Sequence, residues 1–123
     1  LGAWDAAGAA GFLAGFLTEA VADAQLRRFR ADPANRGTVL DRGLWRYSRH
    51  PNYFGDALLW WGVFLLAVGA GAPWTVVGPA LMTFLLVKVS GVALLERSLV
   101  QGRPGYAEYV RRTSAFVPWF PRA

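Results

Sequence analysis

The sequence predicts an all-α membrane protein with about three transmembrane helices and a short amphipathic cytoplasmic helix near its C-terminus. Three observations lead to this fold class. Hydrophobic residues make up 54% of the 123-residue chain. Three segments approach or reach the ~20 apolar residues that cross a bilayer core. The stretch "ALLWWGVFLLAVGAGA" has no polar face at helical spacing, which a water-soluble helical bundle would show.

The predicted elements follow one another within a single membrane domain, residues 1–123. The first span continues as a helix as far as residue 30. After the third span, "GRPGYAEYVRRTSAF" predicts the amphipathic helix, with Tyr106, Tyr109 and Val110 on one side. The three predicted spans cover about residues 4–21, 51–70 and 73–95.

The distribution of basic residues predicts the orientation in the membrane. Arginines crowd the segment between the first and second spans and the segment after the third, whereas "LGAWD" and "GAGAPW" contain none. The positive-inside rule therefore places the 27–50 loop and the C-terminus in the cytoplasm. Because this pattern accounts for the net charge of +5, no nucleic-acid partner is expected. The absence of cysteine and the single histidine argue against a structural metal site.

Small residues on the first helix predict a close helix–helix contact. Gly11 and Gly15 form a GxxxG pair, a pattern that lets helix backbones approach one another in membranes. We expect this face to contact either a second copy of the chain or a preceding segment of a longer protein.

Polar residues near the cytoplasmic end of the first helix predict a polar cavity. Glu19, Asp23 and Arg30 fall on one side of the helix at 100° per residue. Because a carboxylate at this depth is costly, it normally faces a cavity or a partner. Ion pairing at the membrane surface is the alternative.

The stretch "GLWRYSRHPNYFGD", residues 43–56, predicts a site for a phosphate-bearing ligand. Pro51 suits the first turn of a helix, and a helix N-terminus attracts anions. Arg46 and Arg49 come just before it and can make bidentate phosphate contacts. Asn52 and Asp56, one turn apart, can hydrogen-bond the same ligand. Arginines that only contact lipid headgroups are the alternative.

This stretch, together with "LLERSLVQGRPGYAEYVRRTSAFVPW", resembles the uncharacterised bacterial family DUF1295, which belongs with the C-terminal domain of steroid 5-alpha-reductases. The resemblance runs from Glu19 to Pro118. It implies the C-terminal, NADPH-binding half of a longer reductase of the bacterial inner membrane. It also implies that the groups acting on the lipid or sterol-like substrate belong to an N-terminal half.

The resemblance also implies roles for individual residues. Asp23, Arg30 and Asn52 match cofactor-contacting residues of the reductases, whereas Asp56 stands where they have a glutamate. Glu96 lies where they place a histidine contact, and Arg112 lies near a cofactor-binding arginine. No catalytic residue is assigned. The complete set of expected cofactor-binding residues is Asp23, Arg30, Arg46, Arg49, His50, Asn52, Tyr53, Asp56, Glu96 and Arg112.

Three functions remain open. The leading prediction is an NADPH-dependent reductase of an activated carbon–carbon double bond. "RHPNYFG" also resembles the RHPxYxG stretch of isoprenylcysteine carboxyl methyltransferases, which implies S-adenosylmethionine as cofactor. That cofactor would need carboxylates, namely Glu19, Asp23, Asp56 and Glu96. The third possibility is a non-catalytic helical membrane module whose polar residues only pair with one another.

Overall fold

The computed structural model describes residues 2–89 and 92–122 of the chain, so residues 90 and 91 of the predicted third span lie outside the described residues. Within those ranges every regular element is helical, which confirms the all-α prediction. The α-helices are α1 (Ala3–Ala31), α2 (Pro51–Gly69), α3 (Val77–Phe84), α4 (Val92–Gly102) and α5 (Tyr106–Arg112). Leu85–Val89 is π-helical, and 3₁₀ turns form at Pro33–Asn35, Gly43–Arg46 and Pro73–Val76.

Local chemistry explains where the first two helices begin and end. The Asp5 carboxylate accepts a hydrogen bond from the backbone N–H of Gly2 at 3.0 Å, which caps the start of α1. At the other end Asp32 precedes Pro33, and a residue before proline is disfavoured in the helical conformation. Pro51 occupies the first turn of α2, where its missing N–H costs no helical hydrogen bond.

Of the described residues, one helical stretch, Pro73–Gly102, is long and apolar enough to cross a membrane. It is mostly exposed at the surface of the protein. The helices α1 and α2, predicted as two further spans, do not meet the same criterion of length and composition. The reason lies in their polar residues, since α1 carries Glu19 and Asp23 within the helix and α2 begins with "PNYFGD". The structure thus shows a helical protein with one potential membrane-spanning stretch.

The helices α1 and α2 run antiparallel and pack through glycines. The buried residues of α1 are Gly8, Gly15, Ala22 and Phe29, spaced seven apart, so they form one stripe along the helix. This stripe lies against Gly55 and Gly62 of α2 so closely that a Cβ at either glycine would overlap the α1 backbone. The Gly11 and Gly15 face, for which we expected an outside partner, is therefore covered by α2 of the same chain.

The C-terminal residues wrap around the loop that precedes α2. Backbone hydrogen bonds join Arg49 N–H to the Ser114 carbonyl at 2.8 Å and Trp119 N–H to the Tyr47 carbonyl at 3.0 Å. The Ser48 hydroxyl donates to the Phe116 carbonyl at 2.7 Å. These bonds hold residues 47–49 in place, so the start of α2 has a defined position relative to α5.

We expect Gly15→Ala to destabilise the protein because its new Cβ would overlap the backbone of Leu59 and Gly55. Overpacking of this kind costs about 1–3 kcal/mol, more than the helix propensity gained by replacing glycine. The measurement is the thermal unfolding midpoint in detergent. Gly78→Ala is the matched control, since a Cβ at Gly78 has nothing within 4 Å and should leave the midpoint unchanged or raise it. Equal midpoints for the two variants would contradict the packing described here.

Candidate functional site

A cavity of about 420 Å³ lies where the C-terminal part of α1, the start of α2, the end of α4 and α5 meet. Its volume falls in the usual range of small-molecule sites. Aromatic and aliphatic side chains contribute much of the wall, and charged or polar groups project from α1 and α2. Six of the sequence-predicted site residues line it: Asp23, Arg30, Arg49, His50, Asn52 and Tyr53.

The other four predicted residues do not line this cavity. Arg46 and Arg112 border a separate cleft of about 250 Å³, which also includes Asp41. Asp56 is half-buried one turn beyond Asn52, so the two side chains do not share the cavity wall as their spacing predicted. Glu96 lies behind the wall, in contact with three side chains that face the cavity.

Asp23 and Asn52 form a pair across the α1–α2 contact. The Asn52 amide nitrogen donates to Asp23 Oδ1 at 3.1 Å, and the Asn52 amide oxygen accepts from the backbone N–H of Tyr53 at 2.9 Å. Each side chain retains further hydrogen-bonding capacity, since a carboxylate has about four acceptor sites and an amide nitrogen has two protons. Asp23 and Asn52 can therefore hold one another in place and still bind a polar group of a ligand.

The carboxylate of Glu96 connects three elements around the cavity. Its Oε2 lies 3.1 Å from Arg49 Nη1, 3.0 Å from His50 Nε2 and 3.3 Å from the Tyr106 hydroxyl. Because a carboxylate only accepts, His50 Nε2 must carry a proton in this arrangement. Glu96 thus joins α4 to α5 and to the segment before α2, and it orients three residues of the cavity wall.

Arg49 has an unsatisfied donor. The residue is only 9% exposed, and its guanidinium is paired with Glu96 through one Nη nitrogen. Within the described part of the chain its Nε is buried without a hydrogen-bond partner. Leaving a buried donor unpaired costs on the order of 1–3 kcal/mol, more for a charged group. Arg49 nevertheless lines the cavity, so its positive charge would attract an anion bound there.

Two buried tyrosines of α5 close the cavity from the C-terminal side. Burial is the main cause that raises the pKa of Tyr106 and of Tyr109 well above the usual range. The neighbouring Glu96 carboxylate raises the pKa of Tyr106 further. Tyr109 donates its hydroxyl proton to the Trp45 carbonyl, with the Ser48 carbonyl 3.2 Å away. Both side chains therefore remain neutral phenols at physiological pH.

Several lining residues were not predicted as site residues. Trp45 and Phe29 form apolar walls, and the indole N–H of Trp45 donates to the Ala22 carbonyl at 3.1 Å. Arg103 reaches the cavity from the residues after α4. The predicted pattern of Tyr106 and Tyr109 on one side of a short helix indicated that this side is buried, which the structure confirms. No sequence pattern indicated that Arg103 belongs to the site, because its neighbours in sequence lie in a solvent-exposed turn.

Comparison with known proteins identifies one family. The family model described as "Protein of unknown function (DUF1295)" matches residues 1–113. This match confirms the family resemblance inferred from residues 43–56. No curated protein and no solved structure matches the chain significantly.

We expect Glu96→Gln to lower the thermal midpoint markedly, because it removes the charge that compensates the buried Arg49. Breaking a buried ion pair costs about 3–5 kcal/mol, and we expect the lower end of that range because the Glu96 side chain is 16% exposed. Glu108→Gln is the control, since Glu108 pairs at the surface with Arg111 and should be dispensable. If both variants unfold at the wild-type temperature, Glu96 does not hold these elements together.

We expect stability to fall as the pH rises above about 10. A tyrosine with a raised pKa in the folded state keeps its proton while the unfolded chain ionises near 10.0, so alkaline pH favours unfolding. The measurement is the thermal midpoint from about pH 8 to about pH 11. Tyr109→Phe should show a shallower decline over this interval. A slope identical to that of the wild type would show that Tyr109 does not contribute to the pH dependence.

Proposed function

The chain belongs to the DUF1295 family, and we propose that it is a membrane-embedded, NADPH-dependent reductase acting on an activated carbon–carbon double bond of a lipid or sterol-like substrate. One observation carries the proposal. Three arginines, Arg30, Arg49 and Arg103, meet the Asp23–Asn52 pair in one cavity at the N-terminus of a 19-residue helix. Such a site suits a ligand with both phosphates and a polar carboxamide.

The arginines support the phosphate part of the cofactor. A guanidinium presents paired N–H donors that match phosphate oxygens, and it keeps its charge at any physiological pH. Arg49 contributes a buried cation with an unsatisfied donor, and the start of α2 adds the positive end of the helix dipole. An anion bound here would be attracted by the positive charge of Arg49 at the cavity wall.

The Asp23–Asn52 pair supports the nicotinamide–ribose part. A carboxamide needs one donor and one acceptor in the same plane, and ribose hydroxyls need acceptors. The Asn52 amide and the Asp23 carboxylate supply both kinds of group at the cavity wall. His50 and Tyr53 stack with ring centroids 5.4 Å apart and nearly parallel, so the buried His50 holds the half-buried Tyr53 ring as a flat aromatic surface at the cavity wall. This surface suits a planar ring.

The chain's own residues would bind and orient, while bound NADPH would supply the hydride. Glu96 keeps Arg49 and His50 in position, and the buried tyrosines exclude water from the C-terminal side of the cavity. No residue of the cavity is assigned as the proton donor. We propose that a preceding segment of a longer protein supplies it together with the substrate site.

A methyltransferase using S-adenosylmethionine receives less support. That cofactor carries a sulfonium cation and an amino-acid group but no phosphate, so it needs carboxylates more than arginines. Of the four carboxylates predicted for this role, Asp23 lines the cavity, whereas Glu19, Asp56 and Glu96 do not. The charge facing the ligand is therefore net positive, which suits phosphates.

A purely structural role for the polar residues receives less support because they border an open cavity. Asp23 and Asn52 do satisfy one another, as such a module requires. They do so at the edge of an open cavity of about 420 Å³ rather than in a closed contact. Packed structural clusters leave few voids larger than a water molecule.

The membrane arrangement is part of the proposal. We propose that α1 and α2 also cross the inner membrane beside Pro73–Gly102, with the 27–50 loop and the C-terminus in the cytoplasm. The arginines of the loop support this orientation by the positive-inside rule. In this arrangement the cavity lies at the cytoplasmic ends of the helices, where a soluble cofactor can reach it.

We expect excess NADPH to raise the thermal midpoint of the protein in detergent, whereas S-adenosylmethionine should not. A ligand that binds only the folded state stabilises it by about 2.7 kcal/mol at one hundred times its Kd. Asn52→Ala and Arg30→Gln should each abolish most of the NADPH shift, since both residues line the cavity.

Arg27→Gln is the matched control for charge, because Arg27 is an exposed residue of α1 outside the cavity lining. It should retain the full shift. A shift with S-adenosylmethionine alone would reassign the protein to the methyltransferases. No shift with either cofactor would count against cofactor binding by this chain.

A further inference from the structure

A second cavity of about 360 Å³ adjoins the first one. The two share the side chains of Phe29, Arg30 and Arg103 in their walls. The second cavity is completed by the turn that follows α1, residues 31–37. A long ligand bound in the first cavity would therefore pass Arg30 and Arg103 and enter the second, which we call the turn cavity.

The turn cavity has an excess of positive charge. Arg30, Arg36 and Arg103 all border it, and in the described part of the chain none of them lies within ion-pairing distance of a carboxylate. Asp32 contributes the one carboxylate among its lining residues, and this group caps the turn by accepting from Ala34 N–H at 3.0 Å. Three arginines that border one cavity place three positive charges near one another, and these repel unless an anion lies between them.

Hydrogen bonds fix the backbone of the turn, so the Cα of Arg36 has a defined position beside the cavity. The Asn35 amide nitrogen donates to the Phe29 carbonyl at 2.9 Å, which ties the turn back onto α1. The backbone N–H of Arg36 donates to the Pro33 carbonyl at 3.2 Å. From the other side, Arg103 Nη1 reaches the Thr38 carbonyl at 3.4 Å. Because these hydrogen bonds order the turn before a ligand binds, binding there costs less conformational entropy.

The order of the groups along the two cavities matches an extended dinucleotide. The Asp23–Asn52 pair lies in the first cavity, Arg30 and Arg103 lie between the two, and Arg36 lies in the turn cavity. With the nicotinamide beside Asn52, the pyrophosphate would pass the shared arginines and the adenosine would enter the turn cavity. Arginine beside the adenosine ribose is a common means of accommodating a 2′-phosphate.

We propose that Arg36 and Arg103 bind the 2′-phosphate of the adenosine and so make this site select NADPH over NADH. The inference rests on the proposed function. It adds the residues responsible for the choice between the two nicotinamide cofactors, and it assigns the adenosine end to the turn after α1. A phosphate dianion between these two arginines would remove their mutual repulsion and could be bound in bidentate fashion.

The test measures the Kd values of NADPH, NADH and adenosine 2′,5′-bisphosphate for the 123-residue chain in detergent, by calorimetry. The wild type should bind NADPH at least about tenfold more tightly than NADH, since one hydrogen bond to a charged group is worth on the order of tenfold in affinity. Arg36→Gln should weaken NADPH and adenosine 2′,5′-bisphosphate by about tenfold and leave NADH unchanged. Arg103→Gln should weaken NADPH more than NADH but should weaken both, because Arg103 also borders the first cavity, where the pyrophosphate would pass.

Arg27→Gln removes the same charge outside both cavities and should alter none of the three affinities. Equal wild-type affinities for NADPH and NADH would overturn the inference and leave the reductase proposal standing. The same holds if Arg36→Gln weakens both dinucleotides equally, because the arginine would then bind a group common to both. If no nicotinamide cofactor binds the wild type, the proposed function fails and this inference fails with it.

Discussion

The contact between α1 and α2 determines the positions of the other elements around the cavity. Two antiparallel helices can approach this closely only where the residues at the contact have no Cβ. The glycines at positions 8, 15, 55 and 62 meet that condition. The contact sets the longitudinal register of the pair. That register brings Asn52 to Asp23 and lets Trp45 reach the Ala22 carbonyl. A displacement by one turn, about 5.4 Å, would separate both pairs.

The second constraint is the neutralisation of a buried cation. Arg49 and His50 lie almost completely inside the protein, at 9% and 2% exposure, so the guanidinium needs a carboxylate close by and the imidazole needs a hydrogen-bond partner. Glu96 provides it from a helix 46 residues further along the chain than His50. The Glu96 cluster thereby joins Pro73–Gly102, the stretch apolar enough to span a membrane, to the residues that directly precede α2. The cavity forms where these two constraints meet, between the glycine contact and the Glu96 cluster.

Site residues could be assigned from the sequence where they belong to a recognisable local pattern, such as a helix N-terminus or one face of a helix. Residues around the start of α2 were predicted because arginine, proline and asparagine in that order indicate a helix N-terminus that can bind an anion. Asp23 and Arg30 were predicted because helical spacing puts them on one face. Arg46 was assigned to the same site on proximity in sequence, but the 3₁₀ turn at Gly43–Arg46 carries it to a different cleft. Glu96 was expected to face the ligand and instead supports three residues that line the cavity.

The sequence by itself determined the family, the helical class and the limits of the first two helices, because proline positions, glycine spacing and apolar runs act over a few residues at a time. It also determined which local stretch carries the polar chemistry. Only the tertiary structure decided that Gly11 and Gly15 contact α2 rather than a second copy. The tertiary structure also decided that Arg103 joins Arg30 at the cavity. Such pairings depend on how separate helices pack in three dimensions, and residue spacing along the chain carries no information about contacts between elements that far apart.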